Sequence, residues 1–92
     1  MILKNKQLLK IAEKNLTGML RNHSYQDLDL PCEVSQLDKS DWQIQYHINT
    51  EYYEMPVHIL SVSFLSQKNI IASYKLYLDN SLNCIDEFFV TY

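Results

Sequence analysis

The second half of the chain, from Trp42 to Tyr92, constrains the fold most strongly because it has the pattern of four strands separated by short polar turns. Trp42 to Ile48 alternates apolar and polar residues, as a strand with one buried face does. Pro56 to Leu65 and Ile70 to Leu78 are rich in β-branched and aromatic residues, and Cys84 to Tyr92 follows a last polar turn. These four segments predict an antiparallel meander.

The N-terminal segment, from about Lys4 to Arg21, is predicted to be an amphipathic helix. Its apolar residues recur at steps of three and four, so they share one side of a helix, while the cations cluster opposite. The apolar stripe consists of Leu8, Ala12, Leu16 and Met19, broadened by Leu9, Ile11 and Leu20. The only glycine, Gly18, lowers helix stability by about 1 kcal/mol relative to Ala, so the last turn frays or packs closely against another element.

The segment between the helix and the meander has less pattern. Turn-forming residues end in Asp38 to Asp41, which predicts a tight turn before Trp42. Cys32 to Leu37 is either an extra strand or irregular chain. Because 92 residues suffice for one core, the sequence predicts a single α+β domain over residues 1–92, with the helix packed on a four- to five-stranded antiparallel meander.

Composition excludes several classes of protein. A single glycine cannot supply a phosphate-binding or dinucleotide-binding loop, which needs several, so we expect no cofactor. Two cysteines, Cys32 and Cys84, are too few for the disulfide framework of a small secreted domain, and we expect reduced thiols. No apolar run approaches the roughly 18 residues of a membrane span. We therefore expect a cytoplasmic protein with no membrane segment.

Strand pairing decides which residues each face of the sheet carries. A hairpin turning around Tyr52 and Tyr53 would place His47 opposite His58, which puts Ile59 on the helix side of the sheet. Five apolar residues then fall on the other face and form a predicted homodimer interface: Leu60, Val62, Phe64, Ile71 and Tyr77. The competing cover for that face is intramolecular, by Leu28, Leu30, Val34 and Leu37 of the irregular segment.

No group of residues indicates catalysis or metal binding. His47 and His58 are the nearest candidates for a metal pair, but a zinc site needs three or four ligands, and no further residue has a diagnostic spacing. Nucleophilic catalysis would need Cys32 or Cys84 beside a histidine, and no motif places them together. We therefore predict no catalytic residues, no metal site and no enzymatic activity.

Charge divides the chain into two parts. Residues 1–21 carry five cations and one carboxylate, a net charge of +4, whereas residues 22–92 carry three lysines and ten carboxylates, a net charge of −7. The acidic part disfavours nucleic acid and favours a basic protein partner. Two clusters join carboxylates to aromatic residues, which are enriched at binding hot spots. Both are predicted to bind the partner: Glu51, Tyr52, Tyr53 and Glu54 in one, and Asp86 and Glu87 in the other.

The order of elements, one helix followed by an antiparallel meander, resembles that of cystatin-like and nuclear-transport-factor-like folds. Cystatins typically carry a Gln-x-Val-x-Gly hairpin, and Gln43-Ile-Gln-Tyr-His47 lacks the Val and the Gly, so the resemblance does not imply protease inhibition. Size, acidity and make-up are similar to those of bacterial immunity proteins and antitoxins, whose acidic face binds a basic toxin.

Three functions follow in order of preference. The first is a cytoplasmic protein-binding domain, an immunity-type or antitoxin-type inhibitor of a basic protein such as a toxin. The second is a homodimer that encloses an apolar cavity for a small molecule. A small enzyme comes third.

Overall fold

The computed structural model describes residues 2–48 and 54–92, with side chains described from Lys6 onward. The elements are helix α1 (Ile2–Asn22), a 3-10 helix (Val34–Gln36) and strands β1 (Asp38–Lys39), β2 (Gln43–His47), β3 (Val57–Ser66), β4 (Asn69–Leu78) and β5 (Cys84–Thr91). No helix in the described part of the chain combines the length and the apolar character needed to cross a membrane.

All five strands form one antiparallel sheet. Strand β3 pairs on one side with β1 and β2, which follow each other along the same edge, and on its other side with β4. Strand β5 pairs with β4 and forms the opposite edge. The predicted α+β fold, one N-terminal helix on an antiparallel meander, is confirmed.

The core lies between α1 and one face of the sheet, and the segment after α1 completes it. The helix contributes Leu8, Ala12 and Leu16, all nearly inaccessible to solvent, as the apolar stripe predicted. The sheet contributes Leu60, Val62, Phe64, Ala72, Tyr74, Leu76 and Leu78, and the irregular segment contributes Leu30. Lys6, Lys10, Lys14 and Arg21 are exposed on the other side of the helix.

Helix α1 is continuous through Gly18 to Asn22. A Cβ atom built at Gly18 would meet nothing within 4 Å, so close packing, one of the two alternatives predicted for the last turn, does not occur there. The chain then forms a turn in which Ser24 and Asp27 each accept a hydrogen bond from the other's backbone N–H. These two hydrogen bonds give an acceptor to two backbone N–H groups that a short helical turn would otherwise leave without one.

The pairing of β2 with β3 differs by one residue from the predicted register. His47 lies opposite Val57, and Tyr46 lies opposite His58. Because side chains alternate between faces, this shift exchanges the two faces of β3. Ile44 therefore lies beside Leu60 on the helix side, and Ile59 faces away from α1.

The predicted dimer interface is wrong for three of its five residues. Leu60, Val62 and Phe64 are 0, 2 and 2% exposed and belong to the core of this chain. Their cover is intramolecular: α1 lies over them with Leu28, Leu30, Val34 and Leu37, the competing expectation from the sequence. Ile71 is half-buried at the margin of the core, and Tyr77 lies on the opposite face.

The segment before β2 also departs from prediction. Cys32 to Leu37 is not a strand, since it contains the 3-10 helix, and Asp38–Lys39 is a strand rather than a turn. The edge is interrupted at Ser40, whose backbone N–H donates to the Ser63 carbonyl and whose hydroxyl accepts from the Ser63 N–H. A side chain thus replaces one rung of the ladder.

In the last strand, the sequence left two alternatives open: either Ile85 and Phe89 or Phe88 and Val90 face the helix. Phe89 does: it lies opposite Tyr74 and packs against the ring of Phe64, with centroids 5.9 Å apart. A bulge leaves Ile85 as an extra residue between the pairs that β5 forms with the end of β4. Phe88 and Val90 consequently point away from the helix.

Candidate protein-binding surface

The sheet face opposite α1 carries an apolar cluster that no described element covers. We call this surface the open face, and its cluster consists of Ile59, Tyr77, Phe88 and Val90. Across the strands, Ile59 lies opposite Tyr77, and Phe88 lies opposite Lys75. The rings of Tyr77 and Phe88 meet edge to face with centroids 5.7 Å apart.

The apolar side chains of β5 are the most accessible part of the open face. Phe88 is 44% and Val90 45% exposed, and Tyr92 just beyond the strand is 75% exposed. The Tyr92 hydroxyl shares a hydrogen bond of 2.9 Å with that of Ser73, which holds the ring along the sheet. Contiguous exposed apolar side chains of this kind typically mark an interaction surface.

The predicted partner-binding residues are not brought together on one face within the described chain. Asp86 lies beside Tyr77 on the open face, whereas Glu87 points to the helix side, because neighbouring strand residues alternate. Glu54 is exposed just before β3. Glu51, Tyr52 and Tyr53 lie outside the described residues, so their prediction is untested.

On the helix side, Glu87 lines a groove of about 530 Å³ between α1 and β5. The helix contributes an apolar floor, Ile11 and Met19, together with the cation of Lys14. The buried Tyr74 hydroxyl donates a 2.5 Å hydrogen bond to the Glu87 carboxylate. Burial, and then this carboxylate, raise the pKa of the Tyr74 phenol far above its usual value, so the phenol is neutral under all ordinary conditions.

The chemistry of Cys84 argues against a nucleophilic role. Burial and the nearby Glu87 carboxylate raise the pKa of the Cys84 thiol. Because the thiolate is the reactive form, a thiol that holds its proton at neutral pH is a weak nucleophile. His47 and His58 lie on opposite faces of the sheet, and the described residues contain no group of three or more His, Cys, Asp or Glu side chains able to hold a metal ion.

A polar cluster that the sequence analysis missed joins α1 to the β1–β2 edge. The Glu13 carboxylate forms an ion pair with Lys39 and accepts a 2.6 Å hydrogen bond from the Trp42 indole N–H. The Lys39 ammonium also lies 5.5 Å from the centroid of the Trp42 ring. The hydrogen bonds from Lys39 and Trp42 lower the pKa of Glu13. The partners are at least 26 residues apart, so no local pattern could reveal them.

Comparison with known proteins adds no relative. No family model, no curated protein and no solved structure matches this chain. The resemblance in element order to cystatin-like and nuclear-transport-factor-like folds stays a prediction, and the fold class rests on the sheet topology.

Proposed function

We propose that this protein is a small cytoplasmic protein-binding domain without catalytic activity, and that it inhibits a basic protein partner in the manner of an immunity protein or antitoxin. The single observation that carries the proposal is the exposed apolar cluster of the open face, with Asp86 at its side. Apolar residues on the partner's surface would contact Tyr77 and Phe88, and a cation of the partner would approach Asp86.

The dimensions of the open face support a protein as the ligand. Four strands about 4.8 Å apart, with about eight residues each at about 3.3 Å per residue, span about 500 Å². A standard interface buries about 800 Å² on each partner. The open face and its rim are therefore large enough for a transient complex, and a flat surface of this kind suits a protein better than a small molecule.

The charge distribution supports a basic partner. Outside α1 the chain has three lysines and ten carboxylates, and one of these lysines, Lys39, forms an ion pair with Glu13 of the helix. Exposed carboxylates occur along the irregular segment and just before β3, among them Asp27, Glu33 and Glu54. Such a field accelerates the approach of a cationic protein and weakens as salt increases.

The test uses a lysine placed at the centre of the open face. Ile59→Lys removes an apolar contact and adds a charge that repels a basic partner, while Gln36→Lys adds the same charge on the exposed 3-10 helix, away from the open face. Both variants and the original chain are used to isolate partners from host extract at low and at high salt, and circular dichroism checks that each is folded.

The proposal predicts one stoichiometric basic protein that binds the original chain and Gln36→Lys, is released by salt, and is lost with Ile59→Lys. A partner that Ile59→Lys retains at equal affinity would place binding elsewhere on the molecule. An acidic partner would overturn the charge argument.

The groove between α1 and β5 favours a second candidate, the binding of a small molecule. Its volume of about 530 Å³ falls in the usual range for ligand sites. Its lining includes Lys14, Asn15 and Glu87 as well as Ile11 and Met19, so it suits a polar or zwitterionic ligand rather than the apolar one expected from the sequence. Native mass spectrometry of the purified protein tests it. A bound molecule that Gly18→Leu displaces, by filling the open space above Gly18, would support this function.

A further inference from the structure

Strand β5 forms one edge of the sheet, and its outward backbone groups can be assigned from two hydrogen bonds. The Tyr92 N–H donates to the Ile71 carbonyl of β4, so Tyr92, Val90 and Phe88 direct their backbone groups inward. The Glu87 N–H instead donates to its neighbour's Asp86 carboxylate. The backbone groups of Glu87, Phe89 and Thr91 therefore point away from β4.

This edge is protected over only part of its length. Asp86 occupies the outward N–H of Glu87, which blocks strand addition there. No described backbone group pairs with the outward N–H and C=O groups of Phe89 and Thr91. An edge strand with unpaired groups and apolar side chains is a template for another strand unless a charge, a proline or a covering element blocks it.

The same half of the strand carries the exposed apolar side chains. Phe88, Val90 and Tyr92 alternate on the open face and are 44, 45 and 75% exposed. A strand added beside β5 would place its own side chains next to these and satisfy the Phe89 and Thr91 backbone groups together. The added strand must itself present apolar residues at every second position, and β5 of a second copy does so.

We propose that two copies of this protein pair through β5, antiparallel about a two-fold axis at Val90, to form one continuous ten-stranded sheet. In this register, Val90 lies opposite Val90 of the second copy, and Phe88 lies opposite Tyr92 of the second copy. The Phe89 and Thr91 backbones exchange hydrogen bonds across the axis. Aromatic and β-branched cross-strand pairs are among the more stabilising ones.

Other registers are disfavoured by the carboxylates of β5. Centring the axis on Glu87 would oppose two Glu87 side chains, and like charges directly opposite destabilise a pair. Centring it on Phe89 would require the Glu87 N–H to leave Asp86. The register centred on Val90 keeps the carboxylates of Asp86 and Glu87 outside the paired segment.

The helix leaves room for this association. Of the described strands, α1 approaches β3 most closely, and β4 separates β3 from the β5 edge. The two helices of the dimer would thus lie on the same side of the joined sheet, with their closest approach at β3 rather than at the axis. Because the paired segment is short, the dimer is weak and depends on protein concentration.

Sedimentation velocity over a wide concentration range tests the dimer on the purified chain. Val90→Lys places two lysines face to face at the axis and is expected to raise the dimer dissociation constant at least about tenfold. Ile70→Lys is the matched control, since Ile70 is also an exposed apolar strand residue, 55% accessible, but belongs to β4. It should leave the dissociation constant unchanged.

Amide hydrogen exchange of the original chain provides a measurement that needs no variant. Raising the concentration should slow exchange at Phe89 and Thr91, and leave Val90 unchanged because its N–H already pairs with β4. A chain that stays monomeric at all concentrations, or a dimer that Val90→Lys does not weaken, overturns the proposal. The dimer and the partner proposed above can be tested separately although both involve Phe88, because Ile59→Lys changes β3 and leaves the β5 edge intact.

Discussion

The register of β3 can be tested by truncating two neighbouring residues, Leu60 and Ile59, to alanine. Leu60 is 0% exposed and packs beneath α1, whereas Ile59 is half-buried on the open face beside Tyr77. A fully buried Leu→Ala change costs about 2 to 5 kcal/mol, because it loses transfer free energy and leaves a cavity. A half-buried side chain with no cover loses about half the transfer term, or about 1 kcal/mol.

These costs are large for a domain of this size. At about 0.05 to 0.15 kcal/mol per residue, 92 residues give an unfolding free energy of about 5 to 14 kcal/mol. Leu60→Ala therefore removes a substantial part of the stability, and at about 4 to 8 °C per kcal/mol it lowers the melting temperature by at least about 8 °C.

Urea denaturation followed by the fluorescence of the single tryptophan, Trp42, measures both variants. That probe reports tertiary structure, because the Trp42 ring contacts Tyr74 of the core edge to face, with centroids 6.1 Å apart. The midpoint should fall strongly for Leu60→Ala and slightly for Ile59→Ala, with unchanged denaturant slopes. Equal losses, or a larger loss at Ile59, would refute the register and with it the position of the open face.

Three further predictions concern single residues. The pKa of Glu13 is lowered, so its carboxylate stabilises the fold at pH values above the ordinary pKa of 4.5, and this contribution is lost as the pH falls below that value. At pH 7, Glu13→Gln should therefore unfold at a lower urea midpoint than the original chain, and its midpoint should fall less on acidification. The pKa of Tyr74 is raised, so stability falls as the pH rises above about 10, where the unfolded phenol ionises first, and Tyr74→Phe should reduce this alkaline loss in the same assay. Gly18→Ala should stabilise the protein by about 0.5 to 1 kcal/mol in thermal unfolding, because the helix gains propensity and the new methyl group meets nothing, and a loss of stability would show hidden packing there.

The elements of the fold could be predicted because each has a strong period of its own. The steps of three and four in α1 and the apolar runs of β3 and β4 specify a helix and two long strands without any tertiary information. The irregular segment could not be predicted in the same way. Its 3-10 helix is held by Val34 and Leu30 packing on the core, and β1 is only two residues long, too short to have a period.

The candidate site was only partly predictable, because each functional residue depends on which face it occupies. The sequence analysis placed Tyr77 correctly on the face away from the helix, but it left the faces of β5 open and grouped Asp86 and Glu87 in one acidic surface. Alternation along β5 separates the two residues. Phe88 and Val90 could be assigned to the exposed face only from the structure, because the bulge near the end of β4 decides which residues of β5 face α1.

One signal in the sequence does determine the register of β3, and it lies in the polar residues rather than the apolar ones. Both alternating sets of β3 contain apolar side chains, so hydrophobic pattern alone leaves the faces ambiguous. Ser61 and Ser63 belong to the same set as Ile59, and in β4 the polar Ser73 and Lys75 belong to the same set as Tyr77. Pairing polar with polar places Ser63 opposite Ser73 and Ser61 opposite Lys75, which is the observed register. Two apolar residues of that set, Ile59 and Tyr77, then lie among these polar neighbours on the face that α1 does not cover. That location, rather than hydrophobicity itself, is what makes them candidates for binding.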